Sequence, residues 1–326
     1  MTRVHVVGTA GYGAADFVRY ALRHPHLELG ALESHSHADK PVADHAPMLR
    51  RLNRRYDAPG TTLEQLKAND VVLLAGRAED ARAFAPKLLA RGARVIDLSD
   101  AFRLQAHADG AVYGFPERYR AQIARATFIA NPGCYPTATL LALLPLAEFA
   151  NDIVQLIVDA KSGVTGAGRT PVTTSLFAEV DEDVRAYGFA GHRHEPEISQ
   201  ELDAGGITAP FVFTPQVVPL KRGMLVSAYA VFGRTADARA VEAAYERAYA
   251  ANPFVRILPA ARTPSLVAVA GTNDAEIHLS IHDRVARVLC AIDNLGKGAA
   301  GQAMQNLNIM LGFPQETALD DRTVVA

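Results

Sequence analysis

Three kinds of side chain in this sequence could act together on a carbonyl: a thiol, a pair of imidazoles and two guanidinium groups. Cys134 lies in A-N-P-G-C-Y-P-T (130–137), between a Pro-Gly turn and an apolar run that reads as a helix. A thiol at a helix N-terminus feels the partial positive charge there, which favours the nucleophilic thiolate. His192 and His194 stand in G-H-R-H-E-P-E-I (191–198), just before a helix start marked by Pro196. Neutral imidazole is the usual acid or base near pH 7. Arg103, in S-D-A-F-R-L (99–104), and Arg169, closing the glycine-rich K-S-G-V-T-G-A-G-R (161–169), are planar donors suited to phosphate or carboxylate. Singly, either arginine reads as a surface charge, and a lone cysteine as a small buried hydrophobe. Cys290, in V-A-R-V-L-C-A-I-D, keeps that packed reading. Cys134 departs from it because a turn aims it and a helix start activates it.

The elements that must position these groups change character along the chain. Up to residue 131, short apolar runs at 3–8, 27–32, 70–75, 93–98 and 126–131 alternate with helical patterns at 14–23 and 78–91. Such alternation predicts a parallel sheet with helices on both faces. Beyond the Cys134 helix, longer amphipathic strands follow at 153–160, 210–214, 224–232, 265–270, 275–282 and 285–293. Helical patterns near 172–180, 195–204 and 236–250 interrupt them, predicting a mostly antiparallel α+β second domain. A last helix, 297–312, opens on small residues and is expected to dock back on the first domain. The expected division is 1–133 plus 297–326 for a nucleotide domain and 134–296 for a catalytic domain.

Gly8-Thr9-Ala10-Gly11-Tyr12-Gly13-Ala14 follows the first strand and opens the first helix. Glycines there permit a tight turn and let the backbone approach a pyrophosphate at the helix N-terminus. Glu33, ending the second strand, could hold a ribose 2′-hydroxyl, as in NAD binding. Ser34, His35, Ser36, His37 and Lys40 follow at once and could hold a 2′-phosphate, as in NADP binding. The residues alone leave both open.

Composition narrows the partners. A net charge of −2 over 326 residues argues against nucleic acid or an anionic membrane. No apolar run reaches the roughly 20 residues needed to span a bilayer. The strand-like start leaves no room for a signal peptide, and two cysteines suit a reducing cytoplasm. The spacing of the eleven histidines matches no helical zinc pattern, so no metal is expected.

Taken together, the motifs resemble the N-acetyl-γ-glutamyl-phosphate reductases, of the wider semialdehyde dehydrogenase family. The resemblance rests on G-T-A-G-Y-G, V-I-D-L-S-D-A-F-R-L, V-Y-G-F-P-E, A-N-P-G-C-Y-P-T, V-D-A-K-S-G-V-T-G-A-G-R and G-H-R-H-E-P-E-I. It continues through F-T-P-Q-V-V-P-L-K-R-G and A-I-D-N-L-G-K-G-A-A-G-Q-A-M-Q-N-L-N-I-M-L-G-F. It implies a Rossmann-type N-terminal domain, a C-terminal domain of the glyceraldehyde-3-phosphate dehydrogenase type, NADP(H), and a homo-oligomer, dimer or tetramer. Cys134 would be the acyl-accepting nucleophile, with His192 or His194 as acid/base. Arg103 would bind phosphate, and Asn131, Ser162, Gly163, Arg169 and Glu197 would contact an acyl phosphate substrate. Gly8 to Gly13, Ser34, Ser36, Lys40, Ala75, Gly76, Gly163, Asn294, Lys297 and Gly298 would contact the cofactor, and inorganic phosphate would be the second product.

Three departures stand out. A-G-R-A-E-D (75–80) replaces the family's L-P-H-G region, Gln216 replaces a histidine, and L-F-A-E-V-D-E-D (176–183) replaces H-F-S-E-V-N-E-N. They leave the acyl group open. A relative reduces aminoadipyl phosphate on a small acidic carrier protein, for which Arg50, Arg51, Arg54, Arg55 and Arg77 are available charges. A catalytically silent NADP-binding sensor is the third reading.

Overall fold

The computed structural model describes residues 1–170, 172–188 and 190–319. It divides into two compact units, 1–132 with 299–326, and 133–298.

In the first unit, β1 (Thr2–Val7), β2 (Leu27–Glu33), β3 (Val71–Leu74), β4 (Arg94–Asp97), β5 (Val112–Tyr113) and β6 (Phe128–Ala130) form one parallel sheet. Its order is β2-β1-β3-β4-β6-β5. The chain leaves β1 for β2 on one side and returns to β3 on the other. This reversal makes a crevice beside β1 at the carboxyl ends of the strands, the usual ligand position in such sheets. V-V-L-L in β3 is buried throughout, as a strand covered on both faces must be. Helices Tyr12–Ala21 and Ala78–Leu89 follow β1 and β3. His5 sits fully buried inside β1, where Nδ1 accepts the Ala31 N–H at 3.0 Å and Nε2 meets Asp70 at 3.2 Å. Gly30 makes room for the ring, since a Cβ there would fall 2.6 Å from it. Beyond a short 3-10 turn at Pro47–Leu49, residues 50–57 carry a bridge from Arg55 to Pro41, with Arg54 donating to Gly30 O at 2.8 Å.

The second unit carries β7 (Ile153–Gly163), β8 (Arg185–Ala186), β9 (Phe211–Val218), β10 (Met224–Phe232), β11 (Val255–Ile257), β12 (Ala275–His282) and β13 (Val285–Ile292). Their order is β11-β12-β13-β10-β7-β9-β8. The sheet is mixed: β7/β9 and β11/β12 are parallel and the other pairs antiparallel. The parallel β7/β9 pair follows from the crossover through helix Glu195–Ala204. Alternation in β10 buries Met224, Val226, Ala228, Ala230 and Phe232 on one face. Cys290 joins that face, opposite Val226 and Ile277. The helical pattern expected near 172–180 resolves into a 3-10 turn at Thr173–Ser175 and a single helical turn at Phe177–Val180.

Helix Cys134–Leu143 is the centre of this unit. Every residue from Tyr135 to Leu143 is buried, as suits a helix that is apolar all round. It packs on β10, β13 and helix Glu195–Ala204. At its far end the Tyr249 hydroxyl donates to Leu141 O at 2.6 Å and the Tyr245 hydroxyl to Ala142 O. These bonds satisfy carbonyls that lack partners within the helix. Among the described residues no helix is long and apolar enough to cross a membrane.

Candidate active site

Cys134 is the first residue of the buried helix, after the extended Gly133. Three bonds hold this turn. Gly133 N–H donates to Glu197 Oε1 at 2.9 Å, and both the N–H and the hydroxyl of Thr137 reach Gly133 O at 2.9 Å. Pro136 contributes no N–H, so the unmatched donors of the first turn gather at Cys134 and Tyr135. The thiol therefore lies where a thiolate is stabilised. Cys290 is the contrast, since full burial pushes its thiol well above the ordinary value.

Cys134 opens on a cavity of about 540 Å³, lined also by Tyr135, Ser162, Gly163, Tyr187, His192 and His194. His192 Nδ1 accepts the His194 backbone N–H at 3.1 Å, which leaves the proton of the neutral ring on Nε2. Burial first, and Arg193 second, hold His192 at about 4, so this ring is neutral at physiological pH. His194 is buried against the nucleophile's turn, and a Cβ on Gly133 would fall 2.4 Å from its Nε2. Tyr135 packs edge-on to both histidines, with ring centroids 5.5 and 5.9 Å away. Its hydroxyl donates to Gln216 O at 2.9 Å and takes the Tyr187 hydroxyl at 3.2 Å. Gln216 in turn donates to Asp159 at 2.8 Å, so the residue standing for the family's histidine is a strut behind the cavity.

The D-N-L-G-K-G run (293–298) is held by Asp293. Its Oδ1 accepts the N–H groups of Leu295 and Gly296 at 2.8 and 3.1 Å, and Oδ2 accepts Arg222 Nε at 2.8 Å. Gly298 is thereby laid against the nucleophile, where a Cβ would fall 2.8 Å from Cys134 Cβ. Asn294 ties Gly223 N–H at 2.8 Å to the Thr165 hydroxyl at 3.0 Å, and Lys297 is fully buried with Nζ 5.8 Å from the Phe254 ring centre. Gly163 lines the cavity with its backbone pressed on Leu220 O, where a Cβ would stand 2.8 Å away. Arg169, on the same loop, does not line the cavity.

In the first unit, Arg103 is buried, with Nε donating to Asn131 O at 2.8 Å and an Nη to Leu98 O at 2.7 Å. The Asn131 side chain donates to Ala299 O at 3.2 Å and accepts from Asn306 at 3.0 Å. In this arrangement it braces the segment that precedes the Cys134 turn.

The crevice beside β1 holds a cavity of about 480 Å³, lined by Gly8, Glu33, His35, Gly60, Gly76 and Arg77 among others. Its residues fit a dinucleotide. Gly8 has φ +86°, and a Cβ on it would fall 2.6 Å from Gly76 N, so the backbones of the two turns meet at the crevice floor. Thr9 ties its hydroxyl to Glu33 O at 2.7 Å, and Ala75 N–H bonds Val7 O at 2.8 Å. Ala10, Gly11, Tyr12 and Gly13 make the turn and first residues of the helix, whose N-cap Gly11 supplies no side-chain cap. Glu33 lines the crevice, and its carboxylate accepts Gly60 N–H at 3.2 Å and Thr62 N–H. Ser34 is buried in its own turn, accepting His37 N–H at 3.2 Å, while Ser36 and Lys40 are exposed outside the cavity lining. Gly8→Ala is expected to cost about 1–3 kcal/mol, because Ala has no relaxed conformation there. Cofactor binding should be lost with it, as read by thermal melting and by fluorescence titration with NADPH.

Comparison with known proteins places this geometry. Residues 3–126 match the model of the semialdehyde dehydrogenase NAD binding domain, and residues 134–294 that of the semialdehyde dehydrogenase dimerisation domain. The chain belongs to the semialdehyde dehydrogenase family. Within it, the chain is 40% identical over 340 residues to the N-acetyl-gamma-glutamyl-phosphate reductase of Moorella thermoacetica, covering 98% of each. It is 42% identical over 348 residues to that of Desulforamulus reducens, again covering 98% of each. Among solved structures, aspartate semialdehyde dehydrogenase II from Vibrio cholerae superposes with a TM-score of 0.74 at 17% identity, over 96% of this chain and 98% of that one. That likeness extends to the fold.

Sequence reasoning missed Asp293, Tyr135, Tyr187, Arg185 and Arg193 as parts of this architecture. The D-N-L-G-K-G run with its leading acid was a usable signal for Asp293. Tyr135 and Arg193 stood inside the motifs of Cys134 and the histidines, whereas no local signal marks Tyr187 or Arg185, which the pairing of β8 with β9 places.

Proposed function

We propose that the chain catalyses the NADPH-dependent reductive dephosphorylation of N-acetyl-γ-glutamyl phosphate to N-acetyl-glutamate 5-semialdehyde. The observation that carries this reading is Cys134, at the first position of a buried helix and facing a cavity that also holds His192 and His194. The full-length relatives supply the acyl group, and they do not favour the carrier-bound alternative.

In this reading the Cys134 thiolate attacks the acyl carbon and the C–O bond to phosphate breaks, so that inorganic phosphate leaves and a Cys134 thioester remains. NADPH, when bound, supplies the hydride that reduces it. His192, neutral and protonated on Nε2, donates a hydrogen bond to the developing oxyanion. His194 supplies the proton to that oxygen, and collapse of the thiohemiacetal releases the aldehyde and frees the thiol. Covalent catalysis divides one difficult conversion into two easier ones.

The cofactor would be held by the first unit, with Gly8, Gly11 and Gly76 at the pyrophosphate. Arg103 would serve the departing phosphate. In the second unit, the sheet face opposite the Cys134 helix exposes Ile157 and Val212, which are partners in register, and this face suits a homo-oligomer.

The deciding assay is the reverse reaction: NADP reduction by N-acetyl-glutamate 5-semialdehyde. Turnover that requires phosphate or arsenate is expected. Absence of turnover, or turnover indifferent to phosphate, would sink the proposal.

A further inference from the structure

β1 and β2 pair in parallel with one break in register. Thr2, Arg3 and Val4 stand opposite Leu27, Glu28 and Leu29, whereas Val6 and Val7 stand opposite Leu32 and Glu33. Between these pairs β1 has a single residue, His5, and β2 has two, Gly30 and Ala31. This is a β-bulge, uncommon in a parallel pair, and it takes ladder partners away from the backbone around it.

Side chains supply those partners. On the side of β2 that faces β1, His5 Nδ1 accepts the Ala31 N–H at 3.0 Å. The ring is held at its other end by Asp70, whose Oδ2 also accepts Lys67 N–H at 2.9 Å. On the outer side, Asp57 Oδ2 accepts Leu32 N–H at 2.7 Å. Arg54 donates to Gly30 O at 2.8 Å and to the same Asp57 oxygen at 3.1 Å. A strand buried on both faces ordinarily carries an aliphatic residue where His5 stands. The imidazole is there as an acceptor for a donor that the bulge leaves over.

The residue carried forward by the bulge is Glu33. Its carbonyl accepts Gly8 N–H at 3.1 Å, Thr9 N–H at 3.0 Å and the Thr9 hydroxyl at 2.7 Å, so the glycine turn hangs on it. Without the extra residue, Leu32 would stand opposite Val7 and Glu33 would lie about 3.3 Å further along the strand. The anchor of the turn would move with it.

We propose that His5, Arg54 and Asp57 are positioning residues of the cofactor site, suturing a bulge that places Glu33 where it pins the Gly8–Thr9 turn. The inference rests on cofactor binding in the crevice beside β1, and not on the acyl chemistry at Cys134. Bulges of this kind are found beside ligand sites, where they re-aim the strand that follows.

The test uses Asp57→Ala, Arg54→Met, His5→Leu and His5→Asn in the full chain. The NADPH Kd from fluorescence titration is expected to rise about three- to tenfold in Asp57→Ala and less in Arg54→Met, because the sutured fraction falls. Amide exchange in peptides carrying Gly8 and Thr9 should quicken in the same order. In the reverse assay KM for NADP should rise in step, while KM for the semialdehyde and the alkylation rate of Cys134 hold. His5→Asn can set its Oδ1 where Nδ1 stood, so it should recover most of the NADPH affinity lost in His5→Leu. Arg54 and Asp57 are partly exposed, and their variants decide the matter if His5→Leu fails to fold. Unchanged NADPH affinity and unchanged exchange at Gly8 and Thr9 in both variants would overturn the suture. Equal losses for cofactor and semialdehyde would also overturn it, reducing these residues to general stability. A wild type that binds NADPH without turning over the semialdehyde, with affinity still falling in Asp57→Ala, would uphold the suture and overturn the assigned reaction.

Discussion

Cys134→Ser is expected to lower kcat/KM in the phosphate-dependent reverse assay by about 1,000-fold or more, while leaving NADP binding and the melting temperature close to wild type. The size of the loss follows from ionisation. A helix N-terminus and its first-turn N–H groups favour a thiolate over the neutral thiol. The same field leaves a serine hydroxyl protonated. Because Cys134 is only partly buried and serine is of similar size, the helix packing of Tyr135 to Leu143 is undisturbed. Native alkylation should label Cys134 and spare Cys290, which becomes reactive only on unfolding because burial raises its thiol. A Cys134→Ser enzyme within tenfold of wild type would rule out the thioester.

The second large effect is expected at the histidines, and it separates them. His194→Gln should reduce kcat by roughly 100- to 1,000-fold, the usual worth of a positioned acid/base. His192→Gln should lose only about tenfold, since the amide can still donate a hydrogen bond toward the oxyanion. The pH profile gives a sharper distinction. His192 is held at about 4, so its protonation cannot set an acid limb of kcat/KM near neutrality. Any acid limb near neutrality should therefore persist unchanged in His192→Gln. Loss of such a limb in His192→Gln would exchange the two roles.

Stability carries its own signature of His192. Its folded value of about 4 lies below the ordinary 6.5. Between these values the unfolded chain binds more protons, so stability rises with pH across this window. The contribution is fully present above 6.5 and is lost as the pH falls toward about 4. His5 and His24, both lowered by burial, act in the same direction. In His192→Gln the slope of melting temperature against pH between 4 and 6.5 should be shallower than in wild type.

How much of this was legible beforehand depended on the range of the interaction. The glycine turn after β1 and the cysteine at a helix start are written in a few adjacent residues, because tight turns and helix caps are local events. The change from helix-alternating strands to longer amphipathic ones likewise marked two different sheets. The pattern near 172–180 misled, since helix-forming residues without a continuous apolar stripe do not sustain a helix. Its place is taken by a 3-10 turn and one helical turn.

By itself, then, the sequence determined the chemistry on offer: a thiol at an activated terminus, two imidazoles, a dinucleotide turn and the order of the elements that carry them. Tertiary structure decided which groups face which. Glu33 is engaged because residues 60 and 62 bring their N–H groups to it, and Gly298 meets Cys134 because Asp293 folds the intervening loop. Arg185 reaches the cavity because β8 pairs with β9, while Arg169, on a more suggestive loop, does not. The reason is physical: a charged side chain's partners come from segments tens of residues away, and only the packed sheet brings them within hydrogen-bonding distance.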